Sequence, residues 1–211
     1  MYCPAHFQED SLAPLIELIE ANPLGTVVCN TSSGLVADHI PLLFKPEQNS
    51  TGKLLGHVAA NNPLWQTAPD QELLVVFQGP STYISPNWYA TKAEAGKVVP
   101  TWNYAVVHAY CSIKAIREPS KVLALISELT DHHESKQTHP WRVSDAPREF
   151  TERLINHIVG IELTINRLQG KWKVSQNQPL ENQISVIAGL QNQGAESQIQ
   201  MAALVKAYGA S

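Results

Sequence analysis

The sequence predicts an α+β protein whose body is a β-barrel of antiparallel strands, with helices confined to its ends. β-branched and apolar runs follow one another from Thr26 to Ile116, and only a short helical turn interrupts them. Apolar residues recur at helical spacing before this region and again after Pro119. The 211 residues are 44% hydrophobic and 16% charged, which is typical of a folded domain with a substantial core.

The strands are predicted from apolar runs bounded by Gly, Pro, Asn and Ser. They span residues 26–31, 35–44, 53–59, 73–78, 106–116 and 159–165. Ser32, Ser33 and Gly34 supply a tight turn, so we expect the first two strands to form a hairpin. The run 73–78 is continuously apolar and is expected to be buried on both faces. A compact turn is predicted at residues 168–170.

The helices are predicted from their caps and from apolar spacing. Asp10 and Ser11 can cap a helix over residues 12–21, and Asn62 can cap a short helix that starts at Pro63. Two further helices are expected near residues 122–129 and 150–158, and two more in the tail, around Gly194. The sequence is therefore predicted to form one domain, 1–211, of which 176–211 is a helical C-terminal extension.

Charge and cysteine usage limit the classes of function. The net charge is −4 and no run of Lys or Arg forms a basic patch, so charge does not support DNA binding. Cys3, Cys29 and Cys111 are widely spaced and lie outside any CxxC pair, which is typical of reduced thiols in the cytoplasm. We also expect neither a secretory signal nor a membrane span, and hence a soluble cytoplasmic protein.

Aromatic residues are concentrated between Gly79 and Cys111. This stretch holds Tyr83, Trp88, Tyr89, Trp102, Tyr104 and Tyr110, among small polar residues and lysines. Flat rings beside hydrogen-bonding and ammonium groups suit a planar, anionic ligand. The alternative is that the rings fill a barrel core.

Three further segments could contribute to a site. The segment 56–65 joins a strand to an Asn-capped helix, which favours an anion, although an ordinary strand-to-helix joint looks the same. In GKWKVSQNQ, Lys171 and Lys173 lie on one face of a predicted strand. They could face a ligand pocket, or they could protect an exposed hairpin edge from aggregation. His39 could face a pocket or be a core histidine.

Motifs of known catalytic or metal sites are not found. The sequence lacks GxSxG, GxGxxG, Walker and HExxH patterns, so no catalytic residue is predicted. His132, His133 and Glu134 lie near His139, but adjacent histidines on a helix point to different faces. No metal site is expected.

Seven ordered motifs resemble a known family. They are MYCPAHF, ADHIPLLF, GHVAANNPLW, FQGPSTYISPNWY, VPTWNYAVVHAY, IVGIELTI and GKWKVSQNQ. Together they resemble the PaiB-type FMN-binding negative transcriptional regulators, from Met1 to about Gln178. The resemblance implies a split β-barrel of the pyridoxine-phosphate oxidase type and a homodimer with FMN in two grooves between subunits. It allows direct DNA binding, which charge does not support.

The resemblance also implies the residues that bind FMN. The end of one strand and the following turn would hold the phosphate, and His39 would floor the groove. The aromatic motifs would supply ring contacts and hydrogen bonds to FMN. The segment GKWKVSQNQ would close the groove from the C-terminal side. The implied set is His39, His57, Val58, Ala59, Asn61, Asn62, Tyr83, Ser85, Trp88, Thr101, Trp102, Asn103, Lys173, Ser175 and Gln176.

Three positions depart from the family pattern. Ala60 stands where a basic residue is usual, Cys111 where a glycine is usual, and Gln178 where an arginine is usual. Each lost charged partner of the phosphate would cost about 1.5–3 kcal/mol, so weak FMN binding is expected. The alternatives to an FMN-binding regulator are a flavin-dependent oxidoreductase with a nicotinamide donor and a cofactor-free regulatory protein.

Overall fold

The strands pair into one open antiparallel sheet, described for residues 1–31, 34–68 and 70–209 in a computed structural model. The strand order is β3-β2-β6-β7-β8-β5-β4, and β1 pairs with β8. The strands are β1 (Gln8–Glu9), β2 (Leu24–Thr31), β3 (Gly34–Pro41), β4 (Leu43–Lys45), β5 (Lys53–Ala59), β6 (Leu73–Ile84), β7 (Thr101–Ile116) and β8 (Ile158–Lys173). The predicted hairpin turn includes Ser32 and Ser33, which lie outside the described residues.

Six α-helices accompany the sheet in the described part of the chain. They are α1 (Leu12–Ala21), α2 (Lys92–Ala95), α3 (Pro119–Glu134), α4 (Arg148–Ile155), α5 (Leu180–Gln193) and α6 (Glu196–Tyr208). Short 3₁₀ turns add Ala5–Phe7, Pro63–Gln66, Pro86–Trp88 and Val143–Asp145. No helix among the described residues is long and apolar enough to span a bilayer.

The chain forms two compact units. The first unit contains residues 1–21, 78–108 and 169–211, and the second contains residues 22–77 and 109–168. The single domain 1–211 predicted from the sequence stays a prediction.

The second unit includes the antiparallel pairs of β2 with β3 and of β5 with β8. β2 pairs with β3 from Leu24 opposite Pro41, and β5 pairs with β8 so that His57 lies opposite Gly160 and Ala59 opposite Ile158. α3 covers part of this sheet through a buried cluster of Leu43, Leu55, Leu125 and Leu129. This packing fixes the end of β5, where the sequence predicts a phosphate-binding turn.

The first unit is closed by the C-terminal helices. Gly194 takes a left-handed φ of 74° at the end of α5, which lets α6 turn back, as the sequence predicts. α5 packs on the turn that contains Trp88, because a Cβ placed on Gly189 would lie 2.6 Å from the indole ring. Helix α5 therefore holds the aromatic segment in place.

Several local predictions are confirmed, three are wrong, and the strand predicted at 35–44 is divided at Leu42 into β3 and β4. Helix 12–21, strand 53–59 and the Asn62 cap are observed as predicted. The compact turn at 168–170 is wrong, because β8 continues through Gly170, which pairs with Glu9 of β1. Residue 158 begins β8 and does not end a helix.

The third error concerns the strand at 73–78. Leu73, Val75 and Phe77 are fully buried, whereas the side chains that alternate with them are half-buried or exposed. The strand therefore has one buried face and is not buried on both.

Candidate functional site

A polar cleft of about 440 Å³ lies in the first unit. Its walls are Tyr89, Thr91, Lys97, Val98, Val99, Thr101, Asn103, Lys173, Ser175, Asn177, Gln178, Pro179 and Asn182. Lys97 and Lys173 are charged, and the walls include no Asp or Glu. A cleft of this size is within the range of small-molecule sites, and its charge favours an anionic ligand.

A buried hydrogen bond in the polar cleft joins β7 to the segment that follows β8. The amide Nδ2 of Asn103 donates to Ser175 Oγ at 2.9 Å, and the two residues are only 1% and 3% exposed. Ser175 has a φ of 65°, in the left-handed region that a residue with a side chain seldom adopts. Strain of this kind is common at ligand sites and fixes the position of the hydroxyl.

Lys173 places an ammonium group on the same wall. Its Nζ donates to Thr101 Oγ1 and, at 2.8 Å, to the carbonyl oxygen of Trp102. Burial lowers the pKa of Lys173, and the nearby Lys171 lowers it further. The cleft therefore holds a cation that its own walls do not neutralise.

Lys171 does not guard an exposed edge. It is 8% exposed, its Nζ donates to the carbonyl oxygen of Tyr2 at 3.1 Å, and it lies near the rings of Tyr2 and Tyr104. The hairpin-edge interpretation of this segment is wrong, because β8 is paired with β1 here.

The opposite wall of the polar cleft is a network that the sequence does not reveal. The backbone N–H and Oγ1 of Thr91 donate to Asn182 Oδ1 at 3.1 and 3.2 Å. Asn182 Nδ2 donates in turn to Gln178 Oε1 at 3.2 Å. Sequence reasoning did not assign Thr91, Lys97, Asn177 or Asn182 to the site. Thr91 and Asn182 meet only because α5 packs beside the segment that contains Thr91.

Other predicted residues of the first unit have local roles. Ser85 Oγ caps the 3₁₀ turn by accepting from the N–H of Asn87 at 3.2 Å, and Trp88 packs on α5. Gln176 binds its own loop, accepting from the N–H of Val174 at 2.9 Å and donating to the carbonyl of Trp172 at 2.5 Å. None of the three lines the polar cleft.

Tyr83 and Trp102 form an exposed aromatic pair. Their ring centroids are 6.3 Å apart at an angle of 72°, and the side chains are 45% and 56% exposed. These rings do not fill a core, so they are free to contact a planar ligand or a second chain.

The remaining predicted residues lie in the second unit. Val58 is buried, whereas His57, Ala59 and Asn61 are exposed around the turn that ends β5. Asn62 Oδ1 accepts from the N–H of Leu64 at 2.8 Å, as a helix cap does. The segment 57–62, the phosphate turn, includes no Lys or Arg.

The two histidines of the second unit differ in environment. Although part of the His57 side chain is exposed, its ring borders an apolar groove with Ile126 and Trp141, and the partial loss of water there lowers its pKa. His39 is exposed on β3, so the core interpretation of this residue is wrong. Among the described residues there is no group of three His, Cys, Asp or Glu that could hold a metal ion.

Residues 1–167 match a family model described as "Putative FMN-binding domain". The chain belongs to this family. FMN is therefore the cofactor of this FMN-binding protein, and the PaiB-type resemblance of the sequence is confirmed.

Curated relatives match the FMN-binding chain along nearly its whole length. Protease synthase and sporulation protein PAI 2 of Bacillus subtilis is 30% identical over 98% of the chain and 97% of that protein. Protein AN0679 of Emericella nidulans is 37% identical over 99% of the chain and 98% of its own length. The tail and the polar cleft thus fall within the matched region.

Solved structures show the same fold at low sequence identity. The FAD and heme binding protein of Mycobacterium smegmatis gives a TM-score of 0.57 at 16% identity, covering 79% of this chain and 73% of that one. Conserved hypothetical protein Rv2991 of Mycobacterium tuberculosis gives 0.55 at 12% identity, covering 85% and 94%. The predicted split β-barrel is confirmed.

The described residues fit FMN. A flavin mononucleotide has an anionic phosphate, a chain of hydroxyl groups and a flat ring system. The polar cleft offers ammonium groups and uncharged hydrogen-bonding side chains, including the buried, positioned hydroxyl of Ser175. The exposed rings of Tyr83 and Trp102 offer flat apolar surfaces.

Proposed function

We propose that this FMN-binding protein is a cytoplasmic homodimer that holds FMN in grooves between its subunits and acts as a negative transcriptional regulator. The observation that carries the proposal is the convergence of Thr101, Asn103, Lys173 and Ser175 on one polar cleft. All four were assigned to FMN from sequence motifs alone.

Each group in the proposed site has a defined task. Lys173 and Lys97 attract the anionic cofactor, and the fixed Ser175 hydroxyl and Asn103 amide provide directional hydrogen bonds. Tyr83 and Trp102 provide ring contacts, and the phosphate turn receives the phosphate. Bound FMN would supply hydride and single-electron chemistry, which gives the regulator a means to respond to redox state.

The regulatory part of the proposal rests on the resemblance of the seven motifs to PaiB-type regulators, and the route of regulation is inferred from the surface of the helices. Each α-helix of the described chain carries at least as many acidic as basic side chains, which disfavours direct reading of DNA. We therefore propose that regulation proceeds through a protein partner that binds the outer surface of α5 and α6, where Leu180, Ile184 and Ile199 are exposed.

Flavin titration of the purified full-length chain tests the site. FMN fluorescence should be quenched with a saturable stoichiometry of one per chain, and light scattering should give the mass of a dimer. Saturable binding to a monomer would refute the shared groove, and an absence of quenching would refute the site.

Transcript profiling tests the regulatory role. Cells that lack the protein should show increased levels of a defined set of transcripts, and the intact gene should restore them. If no transcript rises, and NADH or NADPH bleaches the bound flavin, the protein is an oxidoreductase and the regulatory proposal fails. Retention on DNA fragments at physiological salt would refute the preference for a protein partner.

A further inference from the structure

A second, smaller cleft lies beside the phosphate turn in the second unit. It has a volume of about 230 Å³ and is lined by Ala60, Trp65, Arg117, Pro119, Ile155, Asn156, Ile158 and Val159. Ala60 belongs to the phosphate turn, and Arg117 follows directly after β7. Arg117, which is distant from the phosphate turn in the sequence, thus adds a positive charge to the cavity beside it. The phosphate turn itself contains no Lys or Arg.

The guanidinium of Arg117 is held over an aromatic ring. Its Cζ lies 5.1 Å from the centroid of the Trp65 ring, a cation–π distance. The Trp65 Nε1–H donates to the carbonyl oxygen of Ala60 at 3.0 Å, so the indole is attached to the turn itself. The stack therefore places the positive charge of Arg117 beside Ala60.

No carboxylate in the described part of the chain neutralises Arg117. The adjacent Glu118 pairs with Lys121, at 2.6 Å, and accepts from Ser120 Oγ at 2.6 Å. Arg117 makes no ion pair with any described residue, although it can form two parallel hydrogen bonds to an oxyanion. Arg117 is exposed, and no described residue pairs with the hydrogen-bonding edge of its guanidinium, so this edge is available to a phosphate.

We infer that Arg117 binds the phosphate of FMN and supplies the charge that Ala60 leaves out of the phosphate turn. The inference rests on the proposed flavin site. It makes Arg117 a specificity residue, because the guanidinium distinguishes FMN from riboflavin, which has the same ring system and hydroxyl chain but lacks the phosphate.

Titration with both flavins tests the inference. In Arg117→Gln, FMN affinity should fall about 10- to 100-fold, the usual effect of losing a charge-assisted contact, while riboflavin affinity stays unchanged. Arg153→Gln is the matched control, since Arg153 also lies over a ring, 5.7 Å from the Phe150 centroid, but does not line the small cleft. This control should bind both flavins like the wild type.

A double variant returns the positive charge to the small cleft from the phosphate turn. Ala60→Arg in the Arg117→Gln background should recover most of the lost FMN affinity, because it returns a guanidinium to the same cavity. Thermal melting of each variant checks that the fold is kept.

The outcomes separate the inference from the flavin site. If the wild type binds FMN and Arg117→Gln binds it equally well, Arg117 is not a phosphate ligand and the flavin site stands. If Arg117→Gln loses FMN and riboflavin affinity alike, its role is structural and the inference also fails. If the wild type binds neither flavin, the proposed site itself is wrong.

Discussion

Replacement of Lys173 by methionine tests the central cation of the polar cleft. Methionine keeps an unbranched apolar stem but removes the ammonium that donates to Thr101 Oγ1 and to the Trp102 carbonyl. A hydrogen bond that involves a charged group contributes about 1.5–3 kcal/mol, so the dissociation constant for FMN should rise roughly 10- to 150-fold. Quenching of FMN fluorescence measures this change directly.

Lys114→Met is the control for the Lys173 variant. Lys114 is exposed on β7 and does not line the polar cleft, so its loss changes the net charge equally without touching the site. FMN affinity of this control should stay within about twofold of the wild type, because exposed charges are screened by salt. A Lys173→Met protein that melts normally and binds FMN as tightly as Lys114→Met would show that the cleft is not the flavin site.

Three further predictions concern stability. Gly189→Ala should lower the free energy of unfolding by about 1–3 kcal/mol, because the new methyl group would lie 2.6 Å from the Trp88 ring. Thermal melting measures this change, and Ala188→Ser, at the exposed neighbouring position, should have little effect. Ser175→Ala should lower the free energy of unfolding by about 1–3 kcal/mol, because it leaves buried Asn103 without its acceptor. Ser175→Gly should lower it less, because glycine adopts a φ of 65° freely. The opposite order in urea titrations would contradict this account. Partial desolvation against the apolar groove lowers the pKa of His57, so the unfolded state binds the proton more readily and stability falls as the pH drops below about 6.5. The urea midpoint of His57→Gln should therefore fall less between pH 7 and pH 5 than that of the wild type.

Elements with strong local signals were predictable from the sequence. Strand β5 and the capped turn after it follow from a short apolar run bounded by turn residues and from Asn62 with Pro63. The helix pair of the tail follows from apolar spacing on both sides of Gly194. In each case the deciding interactions lie within a few residues of one another.

Elements that depend on distant partners were not predictable. Gly170 is typical of a turn, but it serves close packing, because a Cβ there would lie 2.3 Å from Leu15 Cδ2. This contact joins segments more than 150 residues apart, so β8 is one long strand and not a strand followed by a turn.

The candidate site shows the same division. Thr101, Asn103, Lys173 and Ser175 were found because their motifs are distinctive. Asn182 and Arg117 were not predicted, since neither lies in a segment whose sequence carries a ligand-binding signal. Motif resemblance thus assigns to the proposed site the residues that a family shares, and geometry adds cleft residues that the motifs do not include.

Subunit association should be coupled to FMN binding if the cofactor lies between two chains. The resemblance assigns each FMN to residues of both subunits, so a separated monomer presents an incomplete site. A ligand at 100 times its dissociation constant that binds only one state stabilises that state by about 2.7 kcal/mol per site. With two sites per dimer, saturating FMN should lower the dimer dissociation constant by roughly 10⁴-fold.

Sedimentation velocity over a dilution series, with and without FMN, measures this coupling. By the same linkage, dilution below the dimer dissociation constant should release FMN from the wild type, and weak-binding Lys173→Met should show a smaller shift at the same FMN concentration. Equal dimer dissociation constants in the presence and absence of FMN, with full quenching by the monomer, would mean that one chain completes the flavin site without its partner. The polar cleft would then have to bind the whole cofactor within one subunit.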